Sequence, residues 1–279
     1  MFRYKIKIEY DGSFFCGWQR QASDDDILNE INKLFFVKKV KKSEKKSFFC
    51  ESFTKKLPSV QSVIENAVEQ MTGQKVLAEG AGRTDAGVHA TGQVAHFDLP
   101  SFILPEKLQI GLNFYLKNLG AIIRVVEQAN DAFHARFSAK MRQYEYHIIN
   151  RLAPLAIKKN YAWHVARPLN IEVMKEAASV FIGYHNFNSF RSKSCQAQNP
   201  FRTVKGFDLM INGEEIIGTI EARSFLHNQV RIMIGTLELV GRGELRVSEL
   251  KEILEARDRT LAGQTAPAYG LYLTNVSYN

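Results

Sequence analysis

Apolar and polar residues alternate along residues 3–10, which is the period of a half-buried β-strand. The same period of two recurs over residues 143–150. It returns in residues 203–211 and 215–221, which flank Asn212-Gly213, a dipeptide typical of a two-residue hairpin turn. Shorter apolar segments predict further strands at residues 75–79, 92–97, 121–126 and 270–278.

Apolar residues recur at intervals of three and four in other segments, which predicts helices that pack one face on a sheet. The clearest helix runs from Val60 to Met71, with Ser59 as its cap and Gly73 as its end. Asn170 caps a helix in the second half of the chain. The remaining predicted helices cover residues 105–116, 228–240 and 248–257.

Strands and helices follow the order βαββαβ in the first half of the chain, and the second half repeats this order. This is the ferredoxin-like plan, so the pattern predicts the α+β class with two subdomains. We place their junction near Ala132, which gives residues 1–132 and 133–279.

The composition is that of an ordinary globular protein, with 45% hydrophobic and 24% charged residues. No apolar run approaches the roughly 20 residues that span a bilayer. The first ten residues also lack the apolar core of an export signal, so we expect a cytoplasmic protein with no membrane partner. The net charge of +8 suits a polyanion such as nucleic acid.

Three cysteines, Cys16, Cys50 and Cys195, lie far apart and lack the C-x-x-C spacing. We therefore expect plain thiols, without a disulfide framework or a metal site. Dinucleotide, P-loop and zinc spacings do not occur either, which agrees with chemistry that needs no cofactor.

The best candidate for an active site is the polar run of residues 81–90, Ala-Gly-Arg-Thr-Asp-Ala-Gly-Val-His-Ala, between two predicted strands. Gly82 and Gly87 allow tight bends that hold Arg83 and Asp85 at fixed positions. A short Thr-Asp-Ala-Gly string alone is also compatible with a simple turn, in which Asp85 bonds its own backbone.

Continued through Phe97, this run closely resembles the G-R-T-D-A-G-V-H-x-x-G-Q-V-x-H-F signature of tRNA pseudouridine synthases of the TruA family. The resemblance implies two ferredoxin-like subdomains that form an extended, mostly antiparallel sheet with a central cleft, in a homodimer. It also implies isomerisation of uridine to pseudouridine at positions 38–40 of the tRNA anticodon stem-loop, with Asp85 as the catalytic residue.

Further motif residues of this family occur in the same order. Arg231, in an F-x-H-x-x-V-R match at residues 225–231, corresponds to the arginine that keeps the catalytic aspartate charged. Tyr144 and Leu271 match positions near the target base, and Arg83 is assigned to the RNA backbone or to the flipped nucleotide. Arg136 is expected near a phosphate.

Local pattern alone leaves other interpretations open. Tyr144 and Trp18 also suit a hydrophobic core, and Arg231 suits an exposed helix position. His89 and His227 are interpreted as structural hydrogen-bonding groups. For the whole chain, the alternatives are a non-catalytic RNA-binding protein on the same scaffold and an enzyme that acts on another RNA.

Residues 22–57 form an insertion relative to the family pattern. Residues 27–37 suit an amphipathic helix and residues 37–46 are rich in lysine. The segment is either a solvated, poorly ordered excursion or an arm that contacts RNA.

Overall fold

The computed structural model describes residues 1–36 and 57–279, which divide into two compact units, Met1–Ser138 and Ala139–Asn279. Strands and helices are numbered here in chain order. The strands are β1 Phe2–Tyr10, β2 Glu79–Gly80, β3 His89–Leu99, β4 Ala121–Ala129, β5 Met141–Asn150, β6 Trp163–Val165, β7 Gly183–Asn186, β8 Phe201–Asn212, β9 Glu215–Ala222 and β10 Leu271–Ser277. The helices are α1 Asp24–Phe36, α2 Val60–Thr72, α3 Pro105–Leu116, α4 Ile171–Ser179, α5 Gln229–Gly241 and α6 Val247–Ala256.

The first unit has the strand order β4-β1-β3-β2, and each neighbouring pair is antiparallel. This is the strand order of the ferredoxin-like fold, with β1 between β3 and β4 and with β2 at the end of the order next to β3. The alternation predicted for the first strand is confirmed, because Tyr4, Ile6 and Ile8 are fully buried. The predicted α+β class is confirmed as well.

Helix α2 begins and ends where its sequence indicates. The Ser59 hydroxyl oxygen accepts a hydrogen bond from the Ser62 N–H at 3.1 Å, which satisfies one free donor of the first turn. Gly73 ends the helix in the left-handed conformation, with a φ of 71°. This helix lies against α3 and carries buried side chains along most of its length.

The first part of the insertion is an ordered helix and not a solvated excursion. Helix α1 buries Ile27, Leu28 and Ile31, and it lies against α2. The buried Asp24 carboxylate accepts hydrogen bonds from the Ser59 hydroxyl at 2.6 Å and from the Gln21 N–H at 3.0 Å. The lysine-rich part of the insertion and Cys50 lie outside the described residues.

Several predicted boundaries differ from the structure, and two of these differences have a clear physical cause. The strand predicted at residues 75–79 is confined to Glu79–Gly80, because the Ala78 N–H donates to the buried Glu65 side chain instead of a neighbouring strand. The last helix begins at Val247 and not at Ser248. Its first turn is closed by the Glu249 carboxylate, which accepts from the Arg246 N–H at 2.7 Å.

The second unit has the order β10-β5-β9-β8-β7, all antiparallel, with β6 added in parallel to β5. Its first four strands repeat the ferredoxin-like order of the first unit. The hairpin of β8 and β9 turns at Gly213 and Glu214, one residue later than predicted, because Asn212 pairs with Glu215. Gly213 supplies the positive φ of 61° that this turn requires.

An ion pair joins the first strand to the third in the first unit. The Arg3 guanidinium donates to both carboxylate oxygens of Asp98, at 2.8 and 2.7 Å, and this lowers the pKa of Asp98. Arg3 also donates to the carbonyl oxygens of Asp131 and Phe133, at 2.6 and 2.8 Å. The pair therefore attaches the segment after β4 to the sheet.

Cys16 and Cys195 are free thiols, and burial raises the pKa of Cys16. Among the described helices, none combines the length and apolar character needed to cross a membrane.

Candidate active site

The backbone on the N-terminal side of Asp85 is held by a second loop. Asp85 forms an isolated antiparallel bridge with Gly17, and the Trp18 N–H donates to the Thr84 carbonyl at 3.0 Å. Gly17 has a φ of 117°, and a Cβ there would lie 2.8 Å from the Thr84 carbonyl oxygen. Because glycine has no Cβ, the backbone at Gly17 can lie directly against the backbone at Thr84, and no other residue would fit there.

The C-terminal side of Asp85 is a tight turn. The Val88 N–H donates to the Asp85 carbonyl at 3.1 Å, and Gly87 takes a φ of 80°. A Cβ at Gly12 would lie 2.3 Å from the Val88 carbonyl oxygen, so another glycine allows the first strand's end to pack against this turn. The expectation that glycines bracket the aspartate is therefore confirmed for Gly87.

Buried side chains also hold the Asp85 loop in place. The Tyr10 and Thr84 hydroxyl groups share a buried hydrogen bond of 2.7 Å. The Tyr10 ring packs against those of Phe15 and Trp18. Trp18 is only 2% exposed, so it is a core residue in this structure.

A buried polar network connects the Gly17 loop to the start of α2. The N–H groups of Val60 and Gln61 donate to the carbonyl oxygens of Gly17 and Trp18, each at 3.0 Å. These donors would otherwise be unpaired in the first helical turn. The buried Glu65 carboxylate accepts from the Gln61 amide at 2.9 Å and from the Arg20 guanidinium, so the loop is held by charge as well.

His89 acts as a structural acceptor in this arrangement. It is buried, and its Nδ1 accepts from the Gly12 N–H at 3.0 Å. A ring nitrogen that accepts carries no proton, so the neutral ring is protonated at Nε2. Nδ1 also lies 3.3 Å from an Asp11 oxygen, which becomes an ion pair only if the ring is protonated twice.

Arg83 and Asp85 differ in their surroundings. Asp85 is half-buried, whereas Arg83 is exposed. In residues 1–36 and 57–279, Arg83 makes no hydrogen bond or ion pair, so its guanidinium is available to an anionic ligand. One loop thus presents a positioned carboxylate and an unpaired cation two residues apart.

Arg231, in the second unit, is fixed from two sides. Its Nε donates to the Ala266 carbonyl at 2.7 Å, and one terminal nitrogen donates to the Asn228 side chain at 2.8 Å. The Ala266 N–H returns a hydrogen bond to the Arg231 carbonyl at 3.1 Å. The side chain is only partly exposed, so Arg231 is more than a solvated helix residue.

The segment that holds Arg231 is itself locked to α5. A Cβ at Gly235 would lie 1.9 Å from the Gln264 carbonyl oxygen, and one at Gly263 would lie 2.6 Å from the Gly235 carbonyl oxygen. The Gly263 N–H donates to the Thr236 hydroxyl at 2.9 Å. Two glycines therefore allow the backbones to touch just before Ala266.

Tyr144 and Leu271 lie on the neighbouring strands β5 and β10, where Leu273 pairs with Tyr144 and Leu271 with Tyr146. The Tyr144 ring is 8% exposed and packs edge-on against Phe225, with ring centroids 5.3 Å apart. Tyr146 is fully buried, and its hydroxyl donates to the Pro267 carbonyl at 2.8 Å. Burial raises the pKa of Tyr146.

The remaining motif residues have local contacts. The exposed His227 ring lies 3.2 Å from the Ser194 hydroxyl. Arg136 is exposed and lies over the Phe137 ring, 5.7 Å from its centroid. Asp85 and Arg83 share one loop of the first unit, while Tyr144, Arg231 and Leu271 belong to the second.

Glu79, His96 and His134 place possible metal-ligand atoms within 4.8 Å of one another in the first unit. The Nδ1 atoms of both histidines, however, accept backbone N–H groups, from Ala135 at 3.3 Å and from Arg136 at 3.1 Å. Each neutral ring then carries its proton at Nε2, so neither ring nitrogen is left free to bind a metal. These contacts favour a hydrogen-bonded cluster over a metal centre.

Sequence reasoning missed the supports of the Asp85 loop. It weighed Trp18 as a core residue but assigned no contact with the Asp85 loop to Tyr10, Gly12 or Gly17. Thr84 belongs to the signature, but its partner was not predicted, and neither were those of Gln61 and Glu65, because a hydrogen bond across more than 40 positions leaves no local pattern.

Comparisons with known proteins identify the family of this chain. A family model described as tRNA pseudouridine synthase matches residues 43–138 and 177–279. The tRNA pseudouridine synthase A of Wolbachia pipientis wMel is 43% identical over 99% of this chain and 100% of its own. The proteins of the same name from Anaplasma phagocytophilum and Paramagnetospirillum magneticum are 45% and 44% identical, covering 99% of this chain and 100% and 95% of their own.

Among solved structures, a chain of a Cbf5-Nop10-Gar1 complex is 13% identical with a TM-score of 0.30, over 62% of this chain and 38% of its own. That likeness is too slight to inform the fold. The family model and the full-length relatives define an isomerase that modifies uridine in RNA. The chain belongs to the tRNA pseudouridine synthase family.

Proposed function

We propose that this enzyme converts uridine to pseudouridine at positions 38–40 of the tRNA anticodon stem-loop, with Asp85 as its catalytic residue. The observation that supports Asp85 best is the close backbone bridge to Gly17, which holds the aspartate between two glycine-dependent turns. A carboxylate that must meet a single atom of the nucleotide needs this kind of fixed backbone.

The reaction breaks the bond between C1′ of the ribose and N1 of uracil and forms one between C1′ and C5. The hydrogen on C5 leaves as a proton while N1 gains one, so the product is an isomer of the substrate. An ionised Asp85 acts as a nucleophile on the nucleoside or as a base on the sugar. No small-molecule cofactor is required by this balance of atoms and electrons.

The other site residues have supporting roles in this proposal. Arg231 is the counter-charge that keeps the catalytic carboxylate ionised, and its fixed guanidinium supports that assignment. Tyr144 packs on the target base, with Leu271 close to it. Arg83 binds the RNA backbone or holds the flipped nucleotide, which agrees with its unpaired guanidinium.

We further propose that the enzyme acts in the cytoplasm as a homodimer, as the resemblance to the family implies. The net charge of +8 is compatible with tRNA as the partner. Light scattering at micromolar protein tests the dimer directly, since a monomer at that concentration would contradict it.

The positions are tested with tRNA transcripts labelled with tritium at C5 of uridine, because the new bond to C5 must expel that label. Three transcripts carry a single labelled uridine at position 38, 39 or 40, and a control carries cytidine at all three positions with labelled uridine elsewhere. We expect release from the first three only. Tritium release from the control would show that the enzyme modifies a uridine outside positions 38–40. Binding of tRNA without any tritium release would favour a non-catalytic RNA-binding protein.

A further inference from the structure

An open cavity of about 430 Å³ lies at the outer edge of the second unit, away from the residues discussed so far. It is formed by the edge strand β7, the start of β8 and the C-terminal end of α6. Two aromatic rings and two long cations supply its most distinctive walls, namely Tyr184, Phe201, Lys251 and Arg257.

The two rings form an exposed stacked pair. The Tyr184 and Phe201 centroids are 5.2 Å apart and the ring planes differ by 18°. Tyr184 is 67% exposed and Phe201 is 36% exposed, so the pair leaves a large flat surface in water. Such a surface is the kind on which a nucleobase stacks, and it favours no particular base.

The cations beside the rings have no partner of their own. Neither Lys251 nor Arg257 makes a side-chain hydrogen bond or ion pair within the described parts of the chain. Glu255 is the one carboxylate in the cavity wall, and His185 uses its Nε2 to bond the Ile182 carbonyl at 2.9 Å. The wall therefore carries two positive side chains that form no ion pair and one negative side chain.

Arg257 is also held in an unusual backbone conformation. It ends α6 with a φ of 57°, in the left-handed region where glycine or asparagine is usual. Arg257 lines the cavity, so this position supplies a cationic side chain that glycine would not.

We propose that this cavity is an accessory tRNA-binding site, in which a base stacks on Tyr184 while Lys251 and Arg257 bind the adjacent phosphates. The inference rests on the proposed function in taking tRNA as the ligand. A flat apolar surface beside unpaired cations matches a nucleotide better than it matches an uncharged or basic protein surface.

The cavity is separate from the strand that carries Tyr144. In the order β10-β5-β9-β8-β7, strand β7 is the third neighbour of β5. Strands are about 4.8 Å apart, so the two lie roughly 14 Å from each other. The site is thus expected to contribute to tRNA affinity without entering the chemical step.

The test compares two double variants of the full-length enzyme. One is Tyr184→Ala with Lys251→Ala. The control is Ile157→Ala with Lys159→Ala, which also removes one apolar group and one lysine from exposed positions of the second unit, outside the cavity. The Kd for tRNA is measured by filter binding at several salt concentrations, and kcat at saturating tRNA.

We expect the cavity variant to bind tRNA about tenfold more weakly than the control, the effect of losing one base stack. Its plot of log Kd against log salt should be flatter by about one phosphate contact, a change in slope of about 0.7 to 0.9 that we do not expect of the control variant. Its kcat should equal that of the control. A Kd within twofold of the control would overturn the proposal and leave a protein partner as the occupant of the cavity.

If the double variant folds poorly, as judged by its thermal unfolding, Lys251→Glu replaces it with the same expected direction. Failure of the proposed function gives a different result, because wild-type enzyme would then release no tritium from any tRNA. The binding comparison still reports on the cavity in that case.

Discussion

Replacing Gly17 by alanine puts a methyl group against the backbone that carries Asp85. The new Cβ would lie 2.8 Å from the Thr84 carbonyl oxygen, where about 3.4 Å is an ordinary contact. The loops must therefore separate by roughly 0.6 Å. Alanine must also adopt a φ of 117°, which is strained for any residue with a Cβ.

Both effects can be expressed as magnitudes. A non-glycine residue in a sparsely populated backbone region costs about 1–3 kcal/mol, so the free energy of unfolding should fall by that amount. Displacement of a catalytic group by about 1 Å costs about a hundredfold in rate. A shift of roughly half that size predicts a kcat that is about tenfold lower.

Gly73→Ala is the matched control for this variant. Gly73 also has a positive φ, of 71°, but a Cβ there meets no atom within 4 Å. It should lose stability by about 1 kcal/mol and keep its kcat. The assay is tritium release at saturating tRNA, with urea unfolding alongside. If the Gly17 variant kept the kcat of the Gly73 variant, the bridge to Gly17 would not be what positions Asp85.

Two further changes test other contacts. Gly235→Ala should favour the helix by about 1 kcal/mol, but its methyl group would lie 1.9 Å from the Gln264 carbonyl oxygen. We expect the clash to displace the segment that holds Arg231 and lower kcat several-fold, while Gly206→Ala, in open space, leaves it unchanged. If the Gly235→Ala and Gly206→Ala variants had the same kcat, the contact between Gly235 and Gln264 would not be what positions Arg231. Asp98→Asn tests how the stability contributed by the ion pair between Arg3 and Asp98 depends on pH. The ion pair lowers the folded-state pKa of Asp98, so it stabilises the fold above the unfolded pKa of about 3.9 and is lost as pH falls through the lower value. Urea unfolding should show a loss of about 1 kcal/mol at pH 7 that shrinks towards pH 3, and a constant difference would refute this.

Periodicity predicted most of the fold because each helix and strand buries a face with its own period. The alternation of β1 and the caps Ser59 and Gly73 around α2 are local signals, and all are confirmed. The strand predicted at residues 75–79 failed because a buried side chain, Glu65, takes the backbone donor that a strand partner would need. No local pattern reports such a competitor.

In the candidate site, too, local signals are visible in the sequence but contacts between distant residues are not. Glycines next to Asp85 are visible in the sequence, but the bridge to Gly17 joins residues 68 positions apart. The hydrogen bonds that fix Arg231 to Ala266 are also distant in the chain. The sequence therefore supplies candidate residues for the site, whereas the contacts that hold their backbones follow only from the fold.

The most direct test of the central claim is tritium release from C5-labelled tRNA by wild-type enzyme and by Asp85→Asn, with tRNA binding measured for both. Asparagine has the size of aspartate but no charge, so the fold and the binding should persist. We predict release by wild type alone. Release by the variant within tenfold of wild type would contradict the assignment of Asp85 as the catalytic residue.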